Sequence, residues 1–587
     1  MPKIAKNIPS PRNHAAERQK KTESTPIQGA REKPPSFRRG YAIGSAVTEF
    51  TRQGLPFRGF RGDNEAMQAK GAIAAGHPET AAAAAAILGE GGNAFDAVLA
   101  GLLAAVVAEP VLTSLGGGGF LLARRRQQDG QTILYDFFAH TPKRRLPVRG
   151  GDFFPILADF GTAQQEFHIG MASMATPGTV KGLFRVHGDL ASMPMARIIE
   201  PAVALARNGV RVNRLQAYIF GIVEKIYTVN AACRAVYGSR RNPGRPIGEG
   251  ELFTLPDFAA TLQALATEGE DLFYRGEIAR RIAGDCRDGG GALRDGDLRD
   301  YRVMVRRPLE LAHGGARLFA NPPPSTGGIL VAFALELLRE AGLKSAGFGS
   351  ARHLERLATA MMLTNKARID SRLNEADPED AAETLLNPEF LETYRRLVLG
   401  RPAARRGTTH ISVIDAKGNA AALSLSNGEG SGYIVPGTGI MMNNMLGEED
   451  INPSGFHQWP EDTRMSSMMA PCLLVDPGGG MAVFGSGGSN RIRTAVLQVI
   501  LNLLEFGMSV EEAVTSPRIH FENGLLSIES GFRKSQVEAL LKAFPSHKLW
   551  PETNLFFGGV HSVRFDPRQG RFEGVGDPRR GGVALTV

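Results

Sequence analysis

The sequence predicts an α+β fold on three observations. Two alternating runs at 408–426 read as an antiparallel hairpin, an apolar run at 481–484 ahead of glycines reads as a strand feeding a helix, and residues 80–110 read as two helices. The composition allows a large core, since 43% of the 587 residues are hydrophobic and 22% are charged. Length alone suggests several domains.

Residues 1–65 read as a basic, disordered tail. Positions 1–40 carry ten Lys and Arg against three Glu, so most of the net charge of +8 lies there and the rest of the chain is close to neutral. A nearly neutral body offers no face to phosphates, which argues against a nucleic-acid or membrane partner. The first 40 residues hold no apolar run of signal-peptide length, and a cytoplasmic location is expected. Cys233, Cys286 and Cys472 are far apart, without metal-ligand spacing, and are expected as inert core residues.

Ala81–Gly89 favours a helix that Gly91 and Gly92 stop. The next helix places Phe95, Val98, Leu99, Leu102, Leu103 and Val106 on one buried face before Pro110. Its apolar stretch, Ala97–Ala108, is well short of the roughly 20 residues a bilayer span needs. Four glycines, Gly116–Gly119, open a strand at Phe120–Ala123, with Ile133–Phe138 as its partner. No Lys-Ser/Thr follows those glycines, so they read as a tight turn and not as a phosphate loop. From about 175 to 400, helical patterns alternate with Gly and Pro, with no repeat and no metal cluster. Arg401–Gly407 reads as exposed linker.

Thr408–Asp415 and Asn419–Ser426 flank Ala416-Lys417-Gly418, whose glycine can take the left-handed position of a three-residue hairpin loop. With Asp415 facing Asn419, Thr408 faces Ser426 with Cβ atoms about 5 Å apart. Facing hydroxyls are also ordinary on a sheet, so the pair alone does not announce catalysis. Downstream, Met481–Phe484 reads as a strand, Gly485–Asn490 as a loop and Arg491–Phe506 as a helix capped by Ser489 or Asn490. Gly487 and Gly488 ahead of that helix can present bare N–H groups to an oxyanion, or form a plain strand-to-helix turn. Ser466 and Ser467 can bind a carboxylate or satisfy their own backbone.

Taken together, from about residue 70 onward, these segments resemble the γ-glutamyltransferases. The resemblance is carried by Gly76-His-Pro78, Gly91-Gly-Asn-Ala94 with Asp96, Glu109-Pro110, Gly116–Gly119, Pro177-Gly178, Pro322–Gly328, Thr408-Thr-His410, Pro436–Gly439, Asn443-Asn444, Ser466-Ser467 and Gly487-Gly488. It implies a four-layer αββα sandwich of the N-terminal-nucleophile hydrolases, made as one precursor and cut before Thr408 into a large chain (66–407, after the tail) and a small catalytic chain (408–587). It further implies Thr408 as nucleophile and, through its freed α-amine, as base. Ser426 would orient the nucleophile, Gly487 and Gly488 would donate to the oxyanion, and Glu448, Ser466 and Ser467 would contact substrate. The partners implied are a small γ-glutamyl or other acyl-amide donor, glutathione by default, and a water or amine acceptor. No metal or organic cofactor is implied.

The sequence departs from the family at the substrate. Phe138 stands where an arginine clamps the glutamyl carboxylate, and Met445 where a glutamine stands. Glu448 replaces an aspartate, and the loop Asn427–Gly432 is about two residues short. Arg144, Arg464 and Arg491 are candidates to replace the clamp. An acylase for another donor and a catalytically idle binding protein remain as alternative readings.

Overall fold

The strand-forming runs assemble into two antiparallel sheets. The computed structural model describes residues 69–126, 130–146, 151–159, 164–371, 385–387, 390–391, 408–452 and 455–587. The basic tail and the 401–407 linker lie outside them. In chain order the framework strands are β1 (Gly71–Ala75), β2 (Gly118–Arg125), β3 (Gln131–Phe137), β4 (Met304–Arg306), β5 (Leu309–His313), β6 (Ala316–Ala320), β7 (Thr409–Asp415), β8 (Ala420–Ser426), β9 (Cys472–Val475), β10 (Met481–Gly487), β11 (Gly559–Asp566), β12 (Arg571–Val575) and β13 (Val583–Thr586). The first sheet has the order β13-β1-β7-β8-β2-β3-β4 and the second β12-β11-β10-β9-β6-β5.

Side-chain alternation assigns each face of the first sheet to a different core. Ile411, Val413, Leu423 and Leu425 pack with the helices α1 (Pro78–Gly89), α2 (Ala94–Ala108), α3 (Thr179–Leu190) and α4 (Met195–Asn208). Ile414, Ala420, Ala422 and Phe120 face the second sheet, in a core shared with Val483, Phe484 and the helix α5 (Arg491–Leu504). These layers are the αββα sandwich. The strands β7 and β8 lie between β1 and β2, so residues on either side of position 408 interleave in one sheet and do not form separate domains.

The helix α2 departs from the one-faced expectation. All its residues are buried, because neighbouring helices cover the side turned away from the sheet. It begins with a capping box, in which the Asn93 side chain accepts from Phe95 N and Asp96 N while Asp96 accepts from Asn93 N. Among the described residues no helix is long and apolar enough to cross a membrane. The three cysteines are buried and unpaired, and burial pushes the Cys233 thiol up to about 11 and Cys286 up to about 12.

Candidate active site

The β7–β8 turn sets the register of the hairpin. Gly418 adopts φ +78°, Asp415 N donates to Asn419 O at 3.0 Å, and pairing runs from Ile414 with Ala420 to Thr409 with Leu425. One residue further along this register Thr408 faces Ser426, as the loop length predicts. Both are buried. The Ser426 hydroxyl accepts from Gly428 N at 3.1 Å.

The strand β10 runs through Gly487, three residues past its expected end, and brings the glycines beside the nucleophile position. Two of them are glycine for lack of room. A Cβ on Gly485 would collide with the His410 ring, and one on Gly487 with the Thr408 carbonyl oxygen. Gly488 (φ +122°) and Ser489 (φ +53°) then turn the chain into α5. Asn490 does not supply the expected side-chain cap. Asn490 is already helical and its side chain makes no capping bond; the first turn closes through Arg491 N to Gly488 O at 3.1 Å and Ile492 N to Ser489 O at 2.8 Å.

His410, two residues past Thr408, is engaged in the fold. His410 is fully buried, with Nδ1 2.8 Å from Ser424 Oγ and Nε2 3.0 Å from Ser412 Oγ. Burial first, and His561 second, hold it far below the usual histidine range, so it is a neutral structural ring. Thr409, next to Thr408, donates to Glu109 Oε2 at 2.8 Å, and Thr80 donates to Oε1 at 2.8 Å. Burial raises the Glu109 carboxyl despite these bonds.

Arg580 also reaches the site, and the sequence reading missed it. Its Nη1 stands 3.5 Å from Thr408 O, and Cβ atoms placed on Gly487 and Gly488 would lie 3.1 Å from its Nη1 and Nη2. It sits at the far end of the chain in Asp577-Pro-Arg-Arg580, where nothing in the local pattern distinguishes it from a surface cation. Glu109 had a signal, its place in Glu109-Pro110.

The substrate-side residues divide. Glu448 is buried, and its carboxylate lies against Gly428, two residues past Ser426. The Ser467 hydroxyl accepts from Met469 N at 3.1 Å, while its carbonyl takes Thr326 N at 2.8 Å and Ser325 Oγ at 2.9 Å. Its polar groups therefore satisfy the local backbone, and the Pro322–Gly328 segment is its partner. Ser466 is partly exposed. Phe138 is 1% exposed and stacks on Phe120 with ring centroids 5.5 Å apart. Met445 lies in the same core.

Of the three candidate arginines, Arg464 and Arg491 are engaged with neighbouring groups. Arg464 donates to Phe138 O, to Tyr301 Oη at 2.6 Å and to Arg302 O at 2.5 Å, and its Nε is 3.4 Å from Asp136 Oδ1. Arg491 donates through Nε to Phe556 O at 3.1 Å and lies over the Phe556 ring. Arg144 is exposed. No group of three His, Cys, Asp or Glu suited to a metal occurs among the described residues.

The family model of gamma-glutamyltranspeptidase matches residues 80–587. The glutathione hydrolase proenzyme of Escherichia coli (strain K12) is 30% identical over 534 residues, covering 84% of this chain and 87% of that protein. The acylase ACY 1 proenzyme of Pseudomonas sp. (strain V22) is 29% identical over 567 residues, covering 92% and 96%. In structure, the cephalosporin acylase of Bacillus halodurans superposes with a TM-score of 0.76 over 91% of this chain and 98% of that one, at 23% identity, a likeness of fold.

Proposed function

The chain belongs to the gamma-glutamyltranspeptidase family of N-terminal-nucleophile amide hydrolases, and on that footing we propose that it cuts itself before Thr408 and then hydrolyses or transfers acyl groups whose head lacks the free α-amino acid. The observation that carries the donor choice is the apolar wall. Phe138 is stacked on Phe120 in the inter-sheet core that also holds Met445, and Arg464 is consumed by Asp136, Tyr301 and two carbonyls. A carboxylate buried there without a partner would cost several kcal/mol.

In the proposed reaction the neutral α-amine of Thr408 takes the proton of Thr408 Oγ as that oxygen attacks the donor carbonyl. The tetrahedral oxyanion forms beside Gly487 and Gly488. Collapse leaves an ester on Oγ and expels the amine, which takes up the proton, and water then hydrolyses the ester. One residue supplies nucleophile and base, consistent with a His410 that is neutral and already bonded at both nitrogens. A γ-glutamyl donor such as glutathione is the second reading. It is favoured by Glu448, a buried carboxylate beside Gly428 that suits a substrate ammonium.

The test pairs two donors on purified protein. Denaturing electrophoresis and N-terminal sequencing should show a small chain beginning at Thr408, and mass spectrometry an acyl adduct on it from a simple acyl p-nitroanilide in preference to the γ-glutamyl one. Thr408→Ala should stay uncut and inactive, and Thr408→Ser should retain part of both activities. A full-length active protein would overturn the mechanism. Faster turnover of the γ-glutamyl anilide would restore the second reading.

A further inference from the structure

We propose that Arg580 is a positioning residue that keeps the freed α-amine of Thr408 neutral, and so able to accept a proton, near pH 7. The proposal rests on the assignment of Thr408 as the N-terminal nucleophile. Its geometry is that of a cation built into the site: the guanidinium faces the carbonyl of residue 408 at 3.5 Å and lies along the Gly487–Gly488 turn. Its stem lies on Gly559, where a Cβ would come within 2.7 Å of Arg580 Cβ, Cγ and Cδ. Any side chain at 487, 488 or 559 would push the guanidinium away.

The backbone that carries Arg580 is fixed by a buried charge network. Asp577 is fully buried, bonds Arg518 at 2.7 Å and Arg579 at 3.2 Å, and accepts from Val560 N at 2.9 Å. Arg579 bonds Glu529 at 2.6 Å, and Arg580 N donates to Asp577 O at 3.2 Å. The cation has little freedom to swing out of the site.

Arg580 itself stays positive. Burial lowers its guanidinium to about 10, still charged at neutral pH, with Glu429, Asp577 and Glu109 as the facing carboxyls. Asp577 is taken by Arg518 and Arg579. Glu109 is raised by burial. His561, held at about 4 by burial, carries no charge, and Glu448 lies further along, against Gly428. Glu429 is the main counter-charge. An ammonium on residue 408 would form within several ångströms of the guanidinium in a desolvated site, and a like charge so placed disfavours the protonated form. An ordinary α-amine has a pKa near 8 and is roughly a tenth neutral at pH 7; lowering it by about one unit makes roughly half of it a base.

The experiment uses the full chain after self-cleavage, with a simple acyl p-nitroanilide as donor. Sequencing of the small chain comes first, because a small chain that does not begin at Thr408 removes the nucleophile assignment itself. The acid limb of kcat/KM against pH should move up by about one unit in Arg580→Gln and stay within a few tenths in Arg580→Lys. It should move down in Glu429→Gln, which removes the main counter-charge and gives a second reading should Arg580→Gln fail to mature. The high-pH plateau of Arg580→Gln should stay within about threefold of the parent, a split that a purely structural arginine would not give. An unmoved limb with a lower plateau overturns the proposal. So does a rise in KM alone at every pH, which would make Arg580 a donor contact, and so does an unmoved or raised limb in Glu429→Gln.

Discussion

Two buried arginines, Arg464 and Arg580, differ in their surroundings. Arg464, at the end of β3, is spent on Phe138 O, Tyr301 Oη and Arg302 O, with Asp136 and the Tyr301 ring completing its shell. Arg580, beside the β7–β8 hairpin, faces the Thr408 carbonyl at 3.5 Å and lies along the Gly487–Gly488 turn. One cation stitches backbone to backbone; the other stands beside the proposed nucleophile, with Glu429, Asp577 and Glu109 as its facing carboxyls. The same split divides the site. The nucleophile end keeps facing hydroxyls, bare glycines and a buried charge, while the β3 end, where a glutamyl clamp would stand, has closed into an aromatic core.

The largest expected effect breaks the nucleophile end. Gly487→Ala places a methyl group onto the Thr408 carbonyl oxygen, and displacing an oxyanion contact together with the nucleophile should lower kcat by about three orders of magnitude or more. Self-cleavage should fail as well, read as persistent full-length chain on a denaturing gel. Normal processing and turnover in this variant would mean that the glycine loop is not where the oxyanion forms.

Acid should also strain the nucleophile end. Burial holds His77 and His561 at about 4 and keeps His410 well below the usual histidine range. A Cβ on Gly76, next to His77, would lie 3.4 Å from His561 Nε2 and 3.2 Å from Thr409 Oγ1. Between pH 6.5 and 4 the unfolded chain binds protons that these rings refuse when folded, so stability is full above 6.5 and falls as pH drops. His77 and His561 each account for on the order of 3 kcal/mol of that loss. Tm measured by calorimetry should be nearly flat from pH 8 to 7 and fall steeply below 6.5. A Tm that holds down to pH 4.5 would show that the rings are charged in the folded protein.

Next in size is the second hydroxyl. Ser426→Ala should reduce turnover by roughly one to three orders of magnitude with the fold intact, the range for losing an orienting partner. Undiminished turnover in a folded variant would place the orienting group elsewhere.

The hairpin register was legible in the sequence because a three-residue loop with a left-handed glycine admits one pairing, and every residue from Thr409 to Leu425 follows from it. The complete burial of α2 was not, since apolar spacing shows the face that packs on the sheet and is silent about helices stacked behind it. The reach of β10 into its glycines was missed for a related reason: Gly485 and Gly487 look like a loop until His410 and Thr408 are seen against them. Of the candidate site, Thr408, Ser426 and the glycines could be read because each is specified locally or by motif. Arg580 depends on a contact across 172 residues, and the spent state of Arg464 depends on Tyr301 and Asp136, which no local pattern links to it.

The smallest effect expected tests the other end, at Phe138. An arginine there would restore a two-pronged carboxylate contact on the strand end where the family carries one, and such a contact in a desolvated pocket contributes a few kcal/mol. It also carries a cost, since position 138 is 1% exposed, stacked on Phe120, and has Arg464 on its own carbonyl. A second guanidinium in that setting is desolvated and repelled by the first until a donor carboxylate arrives. The expected outcome is therefore split. Phe138→Arg should raise kcat/KM for a γ-glutamyl p-nitroanilide by about tenfold, lower it for a simple acyl p-nitroanilide, and lower Tm by several degrees in the absence of donor. A wild-type enzyme that already favours the γ-glutamyl anilide, with Phe138→Arg slowing both donors alike, would mean that the wall does not face the donor head, and the contrast between the two ends would then be one of packing alone.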